Sequence, residues 1–469
     1  MKILLIYPPD DLMVGEKQLN HVIDTCQPLG LSYIAAVLEK AGYEVRIVDA
    51  KVEALSINEI LNKISDFKPR IVGLTSSTSD FCVTRFLAKQ IKSLGDYITI
   101  IGGAHVSALP EETIEEGCFD YGVLGEGERT IVKLANVISH GNKEEVSNIK
   151  GIIFRNGSRI VRTSPQDYIE DLDTIPFPAR YLLPPFDSYP PFFYYKSLPV
   201  ATIVTSRGCP YQCSFCDRAV FGNKLRMRSA GNILDEIEML VKRYSIRGIN
   251  IMDDLFTLNP DRVIEFCQQL MSRKLKVAWS CFSRVDSVSM DMLKTMKKAG
   301  CWMIGYGIES GNQRILDGIK KNVSLEVIRK TVGLTNKIGI LVFGNFILGL
   351  PGENETTMRH TLEFAKKLPL YRAIFHIAQP FPGSELYKMA LAKGEIRKDL
   401  EYRYYHFYCF TEKLPYVADG LSVDILKKYL KKAYRDFYLR PSYIFRRIFK
   451  YREFKGFLKR TVSLLRDIF

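Results

Sequence analysis

The sequence of 469 residues contains no apolar run of the roughly 18 residues that a membrane-spanning helix requires. It also shows no secretory leader, because the apolar run in its opening residues, MKILLIYPP, is too short and is typical of a first β-strand. Without export, the ten cysteines are expected in a reducing cytoplasm. They should therefore be metal ligands or buried thiols rather than disulfides.

Acidic residues are scarce at the end of the chain. The segment 427–469 contains seven Lys and seven Arg but only three acidic residues, so it carries +11 of the total net charge of +14. The first 426 residues carry only +3. The positive charge therefore indicates what kind of partner the tail binds, and it gives no information on the rest of the protein.

A fourth cysteine is missing where three are clustered. Cys209, Cys213 and Cys216 have the spacing C-x-x-x-C-x-x-C. A closed structural zinc site takes four ligands. A cubane iron–sulfur cluster has four irons, so three cysteines leave one iron open to a small molecule. The alternatives are part of a zinc site or three unrelated cysteines.

The triad, with Phe215 directly before its third cysteine, resembles the radical S-adenosylmethionine (radical SAM) superfamily. The resemblance spans residues 200 to about 395. It implies a 4Fe-4S cluster whose open iron chelates the amino and carboxylate groups of SAM. Reductive cleavage of SAM would then give a 5′-deoxyadenosyl radical that takes hydrogen from an unactivated carbon.

Residues 1–145 alternate short β-rich runs with helical patterns, which predicts an α/β domain with a parallel sheet. Ligands of such folds lie beyond the carboxyl ends of the strands. The sequence places small and hydroxyl residues there, which let a large ligand approach the backbone and offer it hydrogen bonds. The predicted strands are 3–7, 45–49, 71–75, 98–102 and 121–124.

The run of features in this segment resembles the cobalamin-binding domain that is fused to many radical SAM enzymes. These features are Pro28-Leu29-Gly30-Leu31, Ala41-Gly42-Tyr43, Val72-Gly73-Leu74-Thr75, Gly102-Gly103-Ala104-His105 and Gly125-Glu126-Gly127-Glu128. The resemblance implies a cobalamin site, with vestigial loss of the cofactor as the alternative. The residues that it assigns to cofactor binding are Thr75, Ser76, Gly102, Gly103, His105, Gly125 and Glu126.

The motif D-x-H-x-x-G, whose histidine ligates cobalt in methionine-synthase-type domains, is absent. We therefore expect cobalt without a histidine ligand. His105 is expected to be a loop residue near the cofactor tail, or else a packing residue.

A connector is predicted at 146–198, with a hairpin that turns at Asn156-Gly157 and a proline-rich crossing. Strand–helix alternation then resumes in the predicted radical SAM domain, 199–410. Six βα units fall short of the eight of a complete barrel and match the partial (β/α)6 barrel of the radical SAM family. The predicted strands are 201–205, 249–253, 277–281, 303–309, 342–348 and 374–379.

The ends of these strands carry groups that the resemblance places around SAM. The cluster loop leaves the first strand, so the cluster is expected at the C-terminal mouth of the barrel. The other predicted SAM-binding residues are Asp253 and Asp254, Arg284, Glu309 and Ser310, Pro380, and Phe215 of the cluster loop.

The tail, 411–469, has helical periodicity from about residue 420, with lysines and arginines flanking an apolar aromatic face. That composition is typical of an interfacial helix on anionic lipid. The alternatives are packing on the barrel, an oligomer contact and binding of nucleic acid, which is disfavoured because no extra RNA-binding domain is visible. The apolar face consists of Phe454, Phe457, Leu458, Val462, Leu465 and Ile468, preceded by Tyr434, Phe437, Tyr438, Phe445 and Phe449.

The sequence thus predicts a cytoplasmic, cobalamin-dependent radical SAM enzyme that acts on a lipid-like or other hydrophobic substrate, with contact of the tail with the inner face of the membrane as one alternative and packing of the tail on the barrel as another. Methyl transfer is the expected outcome, and a reductant such as flavodoxin or ferredoxin is implied. The alternatives are ring formation or rearrangement without net methylation, or a non-catalytic sensor that holds the cluster and cobalamin. The segment 435–443 also resembles enzymes that act on hopanoids and tetrapyrroles.

Overall fold

The computed structural model describes residues 1–10, 26–189, 195–405 and 413–447. Its first domain is built on a sheet of seven strands in the order β2-β1-β3-β4-β5-β6-β7. The strands are β1 (Lys2–Tyr7), β2 (Glu44–Asp49), β3 (Ile71–Thr75), β4 (Ile98–Gly102), β5 (Tyr121–Val123), β6 (Ile152–Asn156) and β7 (Arg159–Arg162). The helices are α1 (Leu29–Lys40), α2 (Ile57–Phe67), α3 (Phe81–Leu94), α4 (Ala104–Ala108), α5 (Pro110–Glu115) and α6 (Gly127–His140).

The first five strands are parallel, as the alternation of elements predicts. Their apolar side chains are covered on both faces, which is why these strands read as almost continuous hydrophobic runs. Helices α1 and α6 pack on one face through residues such as Leu31 and Leu134. Helices α2 and α3 pack on the other through Ile60 and Leu87.

The hairpin predicted in the connector belongs to this first sheet. Strand β6 pairs antiparallel with β5, with Phe154 opposite Tyr121, and β7 pairs with β6. The sheet of the first domain therefore extends to Arg162, past the predicted boundary at residue 145. The sequence shows a hairpin at Asn156-Gly157 but contains no local signal for the sheet that it joins.

The second domain is a six-stranded, all-parallel sheet in the order β15-β14-β13-β12-β11-β8, which is the predicted partial barrel. Its strands are β8 (Val200–Ile203), β11 (Gly248–Ile251), β12 (Ala278–Ser283), β13 (Cys301–Glu309), β14 (Leu341–Leu348) and β15 (Arg372–Ile377), with a two-stranded ribbon formed by β9 (Ser206–Arg207) and β10 (Arg226–Met227). Its helices are α7 (Ala230–Tyr244), α8 (Pro260–Ser272), α9 (Met290–Lys298), α10 (Gln313–Gly318), α11 (Leu325–Ile338), α12 (Glu355–Lys367), α13 (Glu385–Ala392), α14 (Val423–Tyr438) and α15 (Pro441–Phe445).

Helix α14 covers the edge strand β15 with a ladder of tyrosine hydroxyls. Tyr438 Oη donates to the carbonyl oxygen of Ala373 at 2.7 Å and accepts from the N–H of the same residue at 3.3 Å. Tyr434 makes the same pair of bonds to Phe375. These hydroxyls occupy the place of a next strand, so the backbone groups of the edge are satisfied.

The packing interpretation is therefore confirmed for the first part of the tail, since Tyr434, Phe437 and Tyr438 are buried against the barrel. The segment 435–443, which resembles enzymes of hopanoids and tetrapyrroles, lies in this packed region. The predicted apolar face 454–468 lies outside the described residues. Among the helices that the structure describes, none is long and apolar enough to cross a membrane.

The barrel has two rims with different sequences. The segments that follow the C-terminal ends of the strands are called the C-terminal rim; they are 204–217, 252–259, 284–289, 309–324, 349–354 and 378–384. The segments that run from the helix ends to the strand starts, together with the segment after α14, are called the N-terminal rim. They are 195–199, 243–247, 271–277, 297–300, 337–340, 366–371 and 439–447.

Candidate functional site

The loop with the three cysteines is held at its base by the ribbon of β9 and β10. Ser206 and Arg207 pair antiparallel with Met227 and Arg226, so the loop leaves and returns at one point. Gly208 follows with φ +86°, and a Cβ at this position would lie 2.2 Å from the carbonyl oxygen of Lys224. Only glycine fits this turn, which brings the cysteines to the C-terminal rim.

Within this loop, Cys213 is buried, Cys209 is partly buried and Cys216 is exposed. Among the described residues, no three His, Cys, Asp or Glu side chains are arranged around the position of a single metal ion. A cubane cluster does not require that arrangement, because each cysteine binds a different iron. Three soft sulfur ligands on one loop therefore fit a 4Fe-4S cluster better than a zinc ion.

Asp253 and Asp254, which the sequence treats as a pair, have different surroundings. The buried carboxylate of Asp253 accepts hydrogen bonds from the N–H of Thr205 at 2.6 Å and the Oγ of Ser206 at 2.7 Å. It holds the start of the cluster loop and has little capacity left for a ligand. Asp254 is exposed on the same rim, where its charge acts on Cys209.

Arg284 is the cation nearest to the cysteines among the predicted residues. Its Nη1 lies 3.9 Å from Cys213 Sγ, and its guanidinium stacks on the ring of Tyr211 at 3.8 Å. Asp286 accepts from Nε and Nη2 at 2.9 and 2.8 Å and fixes the orientation of the guanidinium. Arg284 and Asp286 therefore form an ion pair within the site and are not isolated surface charges.

Glu309 ends strand β13 with φ +66°, an unusual value for a residue with a side chain. Its buried carboxylate accepts from Lys321 Nζ at 2.8 Å. Desolvation lowers the pKa of Lys321, but the charge of Glu309, its hydrogen bond and the other negative surroundings together outweigh this effect and the pKa is raised, so the lysine stays charged. Sequence reasoning missed Lys321, because a lysine after a short helix resembles an ordinary surface residue.

Three other predicted SAM-binding residues are less directly placed. Ser310 is fully buried, and its hydroxyl meets Thr361 Oγ1 at 3.1 Å, so it joins the loop to helix α12. Its expected contact with SAM is not supported by this geometry. Pro380 is buried behind the sixth strand, and Phe215 is partly buried against the barrel core.

The first domain contains a cavity of about 200 Å³ at the carboxyl ends of its strands. Of the predicted cofactor residues, Thr75, Gly102, Gly103, Gly125 and Glu126 line it. A Cβ at Gly103 would lie 2.7 Å from the carbonyl oxygen of Ser76, so the wall admits no side chain there. The cavity has room for one arm of a large cofactor, which fits the predicted cobalamin site in position and in its glycine-rich wall.

Ser76 and His105 do not line this cavity. His105 is fully buried, and its ring stacks on Phe81 at 3.8 Å and meets the edge of Tyr402 at 4.8 Å. Burial lowers the pKa of His105 to about 3, so the imidazole is neutral. His105 packs as an aromatic side chain, and the expectation that it lies near the cofactor is not supported.

A buried ionic network joins the cavity to the cluster loop. Arg207 donates to Glu126 Oε1 at 2.8 Å and to Glu128 Oε1 at 2.5 Å, and Arg226 donates to Glu126 Oε2 at 2.6 Å. None of these four side chains is more than 9% exposed. Burial lowers the pKa of Arg207, but the two carboxylates outweigh this effect and raise it, so the network stays ionic.

A second buried network ties the connector to the barrel. Arg180 donates to Glu236 at 3.0 Å and to Gln27 at 2.8 Å, and Arg228 donates to the other oxygen of Glu236. Through Arg180, the described part of the proline-rich crossing is fastened to the barrel. Sequence reasoning missed both networks, because arginine and glutamate are mostly surface residues.

Comparisons with known proteins agree with this architecture. The family model described as the B12 binding domain matches residues 19–135, and the model described as the radical SAM superfamily matches residues 203–365. The first match covers most of the predicted cobalamin domain. The second covers the cluster loop and the barrel strands as far as β14.

Two curated proteins are similar over most of their length. An uncharacterized methyltransferase from Pyrococcus horikoshii is 34% identical over 99% of this chain and 98% of its own. The anaerobic magnesium-protoporphyrin IX monomethyl ester cyclase of Rubrivivax gelatinosus is 29% identical over 89% of this chain and 74% of its own.

Among solved structures, the radical S-adenosylmethionine methyltransferase TsrM from Kitasatospora setae, with cobalamin and a [4Fe-4S] cluster bound, superposes with a TM-score of 0.73. The match covers 92% of this chain and 90% of that one at 18% identity. At this level of identity the likeness establishes the fold. It does not transfer a substrate.

Proposed function

Because this chain belongs to the family of cobalamin-dependent radical SAM enzymes, which use a 4Fe-4S cluster, SAM and cobalamin, we propose that it transfers a methyl group to an unactivated carbon. The observation that carries the proposal is the ionic network that fastens the cluster loop to the wall of the first-domain cavity. This network of buried ion pairs supports the proposal, because it would hold the proposed cluster site next to the proposed cobalamin site. When bound, the cluster supplies the electron that cleaves SAM, and cobalamin supplies methyl carriage.

The residues of the C-terminal rim have distinct roles in this proposal. Cys209, Cys213 and Cys216 hold the cluster. Asp254 is exposed beside Cys209 and is the carboxylate available for the amino group of SAM. Arg284 places a positive charge of fixed orientation 3.9 Å from Cys213 Sγ, at the edge of the proposed cluster site. Asp253 positions the loop through Thr205 and does not bind the ligand.

The cavity of the first domain is the proposed site for cobalamin. Thr75 offers a hydroxyl, and Gly102, Gly103 and Gly125 leave the backbone open to a bulky group. None of the residues that line the cavity is a histidine. We accordingly propose that cobalt is bound without a protein imidazole, as the missing D-x-H-x-x-G motif indicates.

A hydrophobic substrate is the proposed acceptor. Phe282, Ile347 and Ile374 are half-buried and alternate with fully buried residues along their strands, as expected for side chains that face the barrel interior. A relative that acts on a magnesium-protoporphyrin ester supports a large acceptor of this kind. A flavodoxin or ferredoxin is the proposed reductant, and membrane contact of the tail beyond residue 447 is also part of this proposal.

The test is a triple replacement of Cys209, Cys213 and Cys216 by Ala in anaerobically reconstituted protein. We expect loss of the cluster absorbance and of reductive SAM cleavage, because the loop 204–217 contains no further cysteine that could bind the irons. Cys26→Ala, which removes one exposed cysteine of the first domain, is the control and should retain both. Retention of about four irons in the triple variant would overturn the assignment.

Ring formation without methylation is the second candidate, favoured by the similarity to the cyclase. Mass balance separates the two reactions. Loss of a methyl group from SAM leaves S-adenosylhomocysteine, whereas radical chemistry alone leaves 5′-deoxyadenosine. Both products are expected for methyl transfer, 5′-deoxyadenosine alone for ring formation, and neither for a non-catalytic sensor.

A further inference from the structure

The N-terminal rim of the barrel is basic throughout. Its seven segments contain fourteen Lys and Arg and not one Asp or Glu. The barrel helices run antiparallel to the strands, so these segments come together at one end of the barrel although they are far apart in sequence. The result is a concentration of basic residues at the end opposite the cysteines, although Arg273 and Lys366 are paired with acids of the adjoining helices.

Helix dipoles explain only part of this pattern. Lys and Arg are favoured in the last turn of a helix, where the carbonyl groups are exposed. Arg247, Lys274 and Lys276, however, lie beyond the helix ends, in the loops that lead to the strands. The preference of helix ends for basic residues also does not explain why the loops of this rim contain no acidic residue.

The first domain provides an internal comparison. Its corresponding segments, 39–43, 66–70, 93–97 and 114–120, contain six acidic residues and three basic ones. The parallel sheet of the first domain therefore tolerates acidic residues in the segments between helix ends and strand starts. Their absence from the barrel rim points to a specific use of that surface.

Part of the positive charge of this rim is available to a partner. Arg247, Lys276, Lys298 and Lys337 are exposed, and none forms an ion pair within the part of the chain that the structure describes. Apolar side chains accompany them. Leu198 is 47% exposed and Phe445 62% exposed.

We propose that the N-terminal rim of the barrel docks on an anionic lipid surface. A basic surface with a few protruding apolar side chains gains both from attraction to the headgroups and from shallow insertion. Leu198 and Leu439, both exposed and aliphatic, suit insertion between acyl chains. Phe445 is the one exposed aromatic side chain of this rim, whereas single-stranded nucleic acid is bound by several aromatic rings on which successive bases stack, so the observations favour lipid over RNA.

The rim is also where the basic tail begins. Described residues end at Arg447, on this rim, and the sequence that follows contains six Lys or Arg and two acids. Docking at this end leaves the cofactor mouth facing away from the lipid. Strand β13 has nine residues, so the mouth lies on the order of 30 Å from the surface.

The experiment measures sedimentation of the full-length reconstituted enzyme with vesicles of phosphatidylglycerol and phosphatidylcholine, with pure phosphatidylcholine as reference. The rim variant carries Arg247→Glu, Lys276→Glu, Lys298→Glu and Lys337→Glu. The control carries Lys40→Glu, Lys133→Glu, Arg155→Glu and Arg159→Glu, four exposed residues of the first domain. Both variants have the same net charge, so a difference in their vesicle binding shows that the location of the charges matters.

We expect the parent enzyme and the control to bind the anionic vesicles and the rim variant to bind at least about tenfold more weakly. Raising the ionic strength should release the parent enzyme, because exposed charges are screened. The proposal is overturned if both variants weaken equally, if neutral vesicles bind as well, or if only deletion of residues 450–469 abolishes binding. Binding of tRNA without binding of vesicles would overturn it in favour of nucleic acid. SAM cleavage should be unchanged in both variants, which distinguishes failure of this proposal from failure of the proposed reaction.

Discussion

The two rims of the barrel use charged residues in opposite ways. On the C-terminal rim, the charges of Asp253, Arg284, Glu309 and Lys321 are buried and each has a fixed partner at hydrogen-bond distance. On the N-terminal rim the charged residues are all basic, and Arg247, Lys276, Lys298 and Lys337 among them are exposed. Buried ion pairs fix the positions of their side chains, because a buried charge is destabilising without its partner. Exposed charges of one sign attract an oppositely charged partner over a distance.

The largest effect is expected where the first domain meets the C-terminal rim. Arg207→Gln leaves Glu128 buried without its partner and removes one of the two arginines on Glu126. We expect the free energy of unfolding to fall by about 3 kcal/mol or more, the usual cost of breaking a buried ion pair from one side. Thermal unfolding of the apo-protein, followed by circular dichroism, measures this.

A surface pair of the first domain gives the matched control for this variant. Arg162 and Glu111 lie 3.3 Å apart, but both side chains are at least half exposed. Arg162→Gln should change the free energy of unfolding by less than about 1 kcal/mol. Equal effects of the two substitutions would contradict the distinction between buried and exposed charge. Vesicle binding of Arg207→Gln should equal that of the parent enzyme, because the two rims are separate.

An intermediate effect is expected from pH at Glu353, a buried carboxyl of the C-terminal rim. Burial raises its pKa to about 7, although the backbone N–H groups of Leu350 and Gly349 oppose the shift. A raised folded-state pKa means that the folded protein binds more protons than the unfolded chain between pH 4.5 and 7. The stability from this group is thus complete below about pH 4.5 and is lost as pH rises through 7.

Comparison with Glu353→Gln isolates this contribution. The amide keeps an oxygen for the two N–H donors but does not ionise. Relative to this variant, the parent protein should lose about 2 kcal/mol of stability between pH 5 and pH 8. Thermal midpoints at several pH values measure the difference. A constant difference across this range would show that Glu353 does not titrate there.

The elements of the fold could be predicted because their signals are local. Strand β14 was expected at 342–348 and spans Leu341–Leu348, since its apolar run is bounded by glycines. Strand β4 is predicted at 98–102 and spans Ile98–Gly102. The three cysteines were recognisable for the same reason, because the spacing of a cluster loop is contained in eight residues.

What escaped prediction depends on contacts that are distant in sequence. Asp253 and Asp254 are chemically identical neighbours, and only the backbone orientation decides which of them is buried under Thr205. Arg207 and Arg226 meet Glu126 across the domain interface, and no local pattern identifies a buried arginine. The aromatic tail was divided between lipid and packing because a buried face and a membrane face have the same periodicity.

The smallest effect is expected at the edge strand, where the N-terminal rim meets helix α14. Tyr438→Phe removes one hydroxyl that serves both backbone groups of Ala373 and leaves them without that partner in a buried position. We expect a loss of about 1–2 kcal/mol in the free energy of unfolding, the cost of an unsatisfied buried group. Tyr97→Phe is the control, since no hydrogen bond of that hydroxyl is found among the described residues. If the variant Tyr438→Phe also loses vesicle binding, the position of α14 is needed for binding by the N-terminal rim. The two rims would then differ not only in charge but also in whether their function depends on the tail. Unchanged stability would mean that water reaches the edge of β15, and the tyrosine ladder would not be what closes the sheet.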